Sequence, residues 1–152
     1  MLIGVISDTH ADTIRDVDHR IIDALKDVDL VVHAGDITSI DVLNELKLVK
    51  DVVAVKGNMD SLDIKKILPD TEKIEIDGKK IRVIHGWGAP FGLEYKLLKR
   101  FDDVDVIIYG HTHIPMNKII NNTLLFNPGT ARKSYGLLNI DNGEIRGDII
   151  KL

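Results

Sequence analysis

Residues 1–10 read MLIGVISDTH: an unbroken apolar run, Leu2–Ser7, that stops on Asp8-Thr9-His10. A run this short and this apolar reads as a strand buried on both faces, as in the parallel sheets of α/β proteins. The pattern then repeats. Ile14, Val17, Ile21, Ile22 and Leu25 recur at helical spacing, which predicts one amphipathic helix opened by a Thr13–Asp16 capping box. Asp29–Ala34 is a second buried strand. Thr38 and Ser39 can cap a second helix that turns Val42, Leu43 and Leu46 inward, and Asp51–Lys56 is a third strand. These βα repeats predict an α/β beginning with largely parallel strands.

The remainder changes character. Lys73–Ile76 and Lys80–His85 flank Asp77-Gly78, a hairpin signal because a type I′ turn needs positive φ. Leu93, Leu97, Leu98 and Phe101 mark a further helix, and Asp105–Tyr109 a further buried strand. Met116–Ile120 and Thr123–Phe126 flank Asn121-Asn122; Gly136–Ile140 and Glu144–Ile150 flank Asp141-Asn142-Gly143. The order predicts an α/β fold with mixed sheets, in a single domain over residues 1–152.

Composition narrows the function classes. A chain of 152 residues buries roughly 68–70% of its unfolded surface, enough for one core. The net charge of −4 and the lack of a basic stripe argue against a nucleic-acid or anionic-membrane surface. There is no cysteine, which excludes disulfides and thiolate metal sites. The opening residues lack a basic start and meet Asp8 too early for a signal peptide, and the longest apolar runs fall far short of the ~20 residues that span a bilayer. A cytoplasmic protein with no membrane partner is expected; the sequence sets no oligomeric state.

The chemistry lies where the strands stop. Apolar runs end in Asp8-Thr9-His10, Gly35-Asp36, Gly57-Asn58-Met59-Asp60, His85-Gly86 and Gly110-His111-Thr112-His113. Ligand sites in α/β sheets gather at the carboxyl ends of strands, so these five ends would bring Asp8, His10, Asp36, Asn58, His85, His111 and His113 together. Carboxylate, imidazole and amide oxygen are donors for divalent first-row metals. Seven donors are too many for one open catalytic site and suit two metals sharing a carboxylate. Two dications ~3.5–4 Å apart repel by on the order of 20 kcal/mol at an effective dielectric of 20, so such a pair needs an anionic bridge.

The ordered set Asp-x-His, Gly-Asp, Gly-Asn, His-Gly and Gly-His-Thr-His resembles the calcineurin-like metallophosphoesterase family, and most of all its small single-domain bacterial and archaeal phosphodiesterase branch, which also carries an Asn-Pro-Gly turn like Asn127-Pro128-Gly129. The resemblance implies two packed mixed β-sheets flanked by helices, an αββα sandwich. It implies that Asp8, His10, Asp36 and His113 hold one metal and Asp36, Asn58, His85 and His111 the other, with Asp36 bridging. The cofactors implied are two divalent ions, manganese or nickel ahead of iron, cobalt or zinc. The activity implied is hydrolysis of a small phosphodiester by a hydroxide held between the metals, with Asn58, His111 and Asp36 as catalytic residues. Much of the family has a histidine where this chain has Met59, and methionine cannot donate a proton; whether monoesters are cleaved is therefore left open. The alternatives are a phosphomonoesterase, a nuclease, or a non-catalytic protein-binding scaffold such as the family's retromer subunit.

Other residues carry weaker signals. Trp87 could wall the substrate pocket or simply pack its loop. Arg132 could bind phosphate, although a solvated arginine is the plainer reading. His33 reads as a satisfied buried histidine, His19 as a surface one, Lys65-Lys66 and Lys79-Lys80 as solvated faces, and Asp60 as structural.

Overall fold

The structure, a computed structural model, describes residues 1–152. The first strands, β1 (Leu2–Ile6), β2 (Leu30–His33) and β3 (Val52–Ala54), run parallel. They are extended by the antiparallel C-terminal hairpin β9 (Ser134–Asp141) and β10 (Glu144–Lys151), giving the order β10-β9-β1-β2-β3. The second sheet has the order β4-β5-β6-β8-β7, from β4 (Thr71–Ile76), β5 (Lys79–Ile84), β6 (Val106–Tyr109), β7 (Met116–Ile120) and β8 (Thr123–Asn127). In it β5, β6 and β8 are parallel, with antiparallel strands at both edges. These are the two packed mixed sheets that the sequence implies.

Why the parallel strands read as continuous apolar runs is now plain: both their faces are covered. Ile3, Val5, Val32 and Ala34 of the first sheet meet Ile81, Val83, Val106, Ile108, Leu124 and Phe126 of the second in the core between the sheets. On the far side of the first sheet, Ile6 and Val31 pack on Ile21 and Leu25 of α1 (His19–Lys26), on Val42, Leu43 and Leu46 of α2 (Ile40–Val49), and on Ile64 of α3 (Leu62–Ile67). On the far side of the second, Ile84, Ile107, Tyr109 and Leu125 are covered by Leu93 and Leu97 of α4 (Leu93–Arg100). No helix is long and apolar enough to cross a membrane.

Two local readings differ from expectation. The first helix is broken: Ile14–Asp16 is a single 3-10 turn, Val17 is extended, and α1 begins only after Asp18. Asp18 competes as a helix start, accepting the Arg20 N–H at 2.9 Å. The periodicity misled because Ile14 and Val17 join the same apolar cluster as Ile21 and Leu25 without continuing the helix. Conversely, α3 was not foreseen. It has six residues and one buried apolar residue, Ile64, too few for a periodic signal; its mark is the Ser61 cap, whose Oγ accepts the Ile64 N–H at 3.4 Å.

Register carries the site residues into line. Val5 pairs with Val32 and Ile6 with His33, so the chain beyond β1 reaches the turn beyond β2 and the Asp8 N–H donates to Gly35 O at 3.0 Å. Ile84 pairs with Tyr109, and the Gly110 N–H donates to His85 O at 3.1 Å.

Phe126 ties the two sheets together. It is fully buried, and its ring fills the space above Gly136 and Gly147, where a Cβ would strike it. Phe126→Ala should lower the unfolding free energy by about 3–5 kcal/mol in urea titration. A loss under about 1 kcal/mol would show that the interior collapses around the gap, contrary to this packing.

Candidate metal centre

The strand ends turn in an unusual way. Asp8, His10, Asp36, His111 and His113 all have positive φ, from 45° to 67°. Side chains other than glycine enter this left-handed region at a cost, with Asn, Asp and His the most tolerant, and such residues gather at functional sites. The turns interlock: the Asp8 N–H bonds Gly35 O and the His10 N–H bonds Asp36 O at 3.4 Å. Two glycines permit the close approach. A Cβ on Gly57 would collide with the Asp36 carboxylate, and one on Gly110 with the Ser7 hydroxyl.

All seven expected donors lie together. Asp36 Oδ2 is 3.6 Å from His10 Nε2 and 3.3 Å from His85 Nε2. Asp8 Oδ1 is 3.1 Å from His113 Nε2 and 4.0 Å from His85 Nε2. Asn58 Oδ1 is 3.1 Å from His85 Nε2 and 3.3 Å from His111 Nδ1. Donors each about 2.1 Å from one metal ion are roughly 3 Å apart, so these separations fit shared coordination.

The positions of the ring hydrogens narrow the chemistry further. Nδ1–H of His85 donates to Ala34 O at 2.7 Å, and Nε2–H of His111 donates to Gly88 O at 2.8 Å. In the neutral tautomers that these bonds select, His85 Nε2 and His111 Nδ1 present lone pairs to Asn58 Oδ1. Three lone pairs then converge with no hydrogen between them, an arrangement that repels unless a cation occupies it. Asp8 Oδ1 repeats the pattern. It is buried and accepts no hydrogen bond, because the His113 approach has the distance of one but not its direction. Neither Asp8 nor Asp36 has a lysine or arginine within ion-pair distance; only imidazoles face them. The residues present thus fit a divalent metal.

The electrostatics agree. Burial works to raise the Asp36 pKa, but the His85 imidazole and the Met59 N–H, which donates to Oδ1 at 2.8 Å, hold it below the ordinary carboxylate range. Burial works to lower that of His85, and the Asp36 carboxylate more than offsets it, so the ring binds a proton more tightly than usual.

Around the donors sits a scaffold that the sequence marked only in part. Asp60 is buried, as its structural reading requires, and joins two of the loops: Oδ1 accepts the Thr38 N–H at 2.7 Å and Oδ2 the Gly57 N–H at 2.6 Å. His33 is no ligand. Its Nδ1 accepts the Gly35 N–H at 3.2 Å, its Nε2 meets Thr9 Oγ1 at 3.2 Å, and burial lowers its pKa to about 3, so it stays neutral. Asn127 donates to Gly110 O at 2.9 Å and so braces the Gly-His-Thr-His loop. Its Asn-Pro-Gly context was visible in the sequence, but its partner was not.

Clefts flank the cluster on two sides. One, of about 480 Å³, is lined by Asn58, His85 and Trp87 with Lys56, Lys65 and Arg100. Trp87 therefore walls a pocket beside the donors. Lys65 departs from its reading as a solvated lysine: its Nζ donates to Asn58 O at 2.8 Å. The cationic lining was missed because these three residues come from separate elements with no shared motif. Arg132 lies on the other side, lining a cleft with His10 and Asp18 and donating to His10 O at 3.3 Å. It supports the His10 turn and does not line the Trp87 pocket.

The chain is similar in sequence and in fold to known proteins. The family model of the calcineurin-like phosphoesterase superfamily domain matches residues 1–143. A probable metallophosphoesterase of Methanocaldococcus jannaschii is 46% identical over 134 residues, covering 86% of this chain and 68% of its own. A phosphodiesterase of the same organism is 29% identical over 171 residues, covering 99% and 100%. Among solved structures, wild-type Vps29 of Entamoeba histolytica complexed with Zn²⁺ superimposes with a TM-score of 0.75 at 26% identity, covering 99% of each chain.

Two outcomes are expected. Metals bind deprotonated imidazole, so affinity should fall as pH falls, and the tighter proton on His85 should start the competition above the ordinary ~6.5. Calorimetric titration with Mn²⁺ at a series of pH values checks this; an affinity that is constant from about pH 8 to 6 would refute it. Asp60→Asn replaces one of the two acceptor oxygens with an amide N–H that opposes a backbone N–H, and should weaken Mn²⁺ binding roughly 10–100-fold while the chain stays folded. Unchanged binding would show that the loops hold without it.

Proposed function

The chain belongs to the calcineurin-like phosphoesterase superfamily, and on that premise we propose that it is a binuclear metal-dependent phosphodiesterase acting on a small diester. The convergence of unprotonated donors around Asn58 Oδ1, beside two buried carboxylates without lysine or arginine partners, carries this reading. One ion would be held by Asp8, His10, Asp36 and His113, the other by Asp36, Asn58, His85 and His111. Asp8 also approaches both sides, but its 4.0 Å to His85 exceeds the 3.3 and 3.6 Å from Asp36 to His85 and His10; Asp36 is the better bridge. Manganese or nickel suits these nitrogen and oxygen donors, as do iron, cobalt and zinc.

When bound, such metals supply Lewis acidity that polarises a phosphoryl oxygen and makes hydroxide available near neutral pH. The chain supplies position and charge. Asn58 directs its oxygen at the imidazoles, which leaves its amide N–H groups for a phosphoryl oxygen. Gly88 O fixes the His111 ring. Lys56, Lys65 and Arg100 make the neighbouring cleft attractive to an anion. Met59, which is exposed, has no proton for a leaving group, so the reaction depends on a leaving group that departs unaided.

Supporting observations for diester chemistry are the similarity to a named phosphodiesterase and the missing acid. The scaffold alternative draws on the likeness to Vps29. The full donor set gives it less support, since a platform has no need of converging lone pairs.

Metal-stripped protein, given back each divalent ion in turn, should hydrolyse an aryl phosphodiester faster than an alkyl monoester, and Asp36→Asn should abolish the metal-dependent rate. Equal or faster turnover of the monoester would overturn the diester assignment. No turnover with any ion would overturn the enzyme and favour the scaffold.

A further inference from the structure

The cleft beside Asn58 and His85 has more chemistry than a bare diester requires. Its volume of about 480 Å³ falls within the range of small-molecule pockets. Three cations, Lys56, Lys65 and Arg100, face one carboxylate, Asp70, in a chain whose net charge is −4. That carboxylate is 78% exposed and paired to Lys56 at 3.4 Å, while Lys65 is engaged by Asn58 O. Arg100 has no carboxylate partner. Its guanidinium lies over the Trp87 ring, 5.3 Å from the centroid, and over Phe101 at 5.6 Å; neither ring can accept its N–H groups as a carboxylate would, so these remain available to an anion. Trp87 is still 39% exposed. On the phosphodiesterase reading the donor cluster takes the scissile phosphate, so the surplus positive charge and the part-exposed indole, one face of which Arg100 covers, leave the other face for a planar ring and the cations for a second anion.

We propose that the cleft is a specificity pocket for a nucleotide-like arm of the substrate, with a planar base stacked on Trp87 and a second phosphate held by Arg100 and Lys56. The substrate class is then a short phosphodiester whose one ester arm is a nucleoside phosphate, as in a dinucleotide with a terminal phosphate. This rests on reading the neighbouring centre as a phosphodiesterase. The limited volume admits one such arm, in keeping with the lack of a basic stripe for a longer strand.

Trp87 is the only tryptophan, so its fluorescence reports on this cleft. In the full chain, with chelator present so that metal cannot draw phosphate, adenosine 5′-monophosphate should quench Trp87 saturably. Adenosine or inorganic phosphate alone should need roughly tenfold more. Arg100→Gln and Lys56→Gln, each checked for an unchanged melting temperature, should weaken nucleotide binding roughly tenfold. Absent quenching, equal quenching by nucleotide and nucleoside, or no effect of either substitution would overturn the pocket. The metal-loaded protein supplies the second arm. A 5′-phosphorylated adenine dinucleotide should exceed its unphosphorylated counterpart in kcat/KM by roughly tenfold, with the gap closing in Arg100→Gln. Equal rates for the two would overturn the pocket while the phosphodiesterase reading stands. Hydrolysis of no diester, with nucleotide quenching intact, would overturn the phosphodiesterase reading and leave the pocket standing.

Discussion

Two buried carboxylates lie at the centre of the molecule's chemistry. Asp8 and Asp36, 0% and 3% exposed, present oxygens within 4.8 Å of one another. Unit charges at that separation repel by about 3 kcal/mol at an effective dielectric of 20. The surroundings divide each carboxylate into two halves. One oxygen is tied to the fold: Asp8 Oδ2 accepts from the Ser7 hydroxyl at 2.6 Å and the His111 N–H at 3.2 Å, and Asp36 Oδ1 accepts from the Met59 N–H. The other oxygen, Asp8 Oδ1 or Asp36 Oδ2, faces imidazoles. The tied halves fix geometry, and the free halves demand a cation.

Holding those charges in place requires both sheets. Asp8 and Asp36 follow strands of the first sheet, His85 and His111 follow strands of the second, and the apolar core between the sheets fixes the gap. The two flanks of the centre differ in charge. The Trp87 side is cationic, while the His10 side sets Asp16 and Asp18 beside Arg132. An anion is therefore favoured on one side of a centre whose donor residues come from both sheets.

The fold was largely legible because buried parallel strands leave an unmistakable mark, short apolar runs that end in polar clusters. That the seven candidate residues come together was legible because each such cluster repeats at a strand end. What escaped the sequence depends on contacts between distant segments. Asp60 joins the Thr38 and Gly57 loops, and Lys65 reaches back to Asn58 from α3, a helix too short for periodicity to show. Arg132 follows an informative turn, yet nothing local says that it points toward the His10 backbone rather than the Trp87 cleft. The broken first helix shows the opposite error, a true apolar face carried by two separate pieces of chain.

The left-handed turns carry one more consequence. At Asp8, His10, Asp36, His111 and His113 the main chain limits which side chains can stand there before any metal arrives. The three types that best tolerate that conformation, Asn, Asp and His, are also hard or borderline donors with short reach. Glutamate has the same charge but not the same tolerance, so lengthening an aspartate here would disturb the peptide path as well as the ligand. The restricted vocabulary of this centre is thus a property of its backbone as much as of its inorganic chemistry.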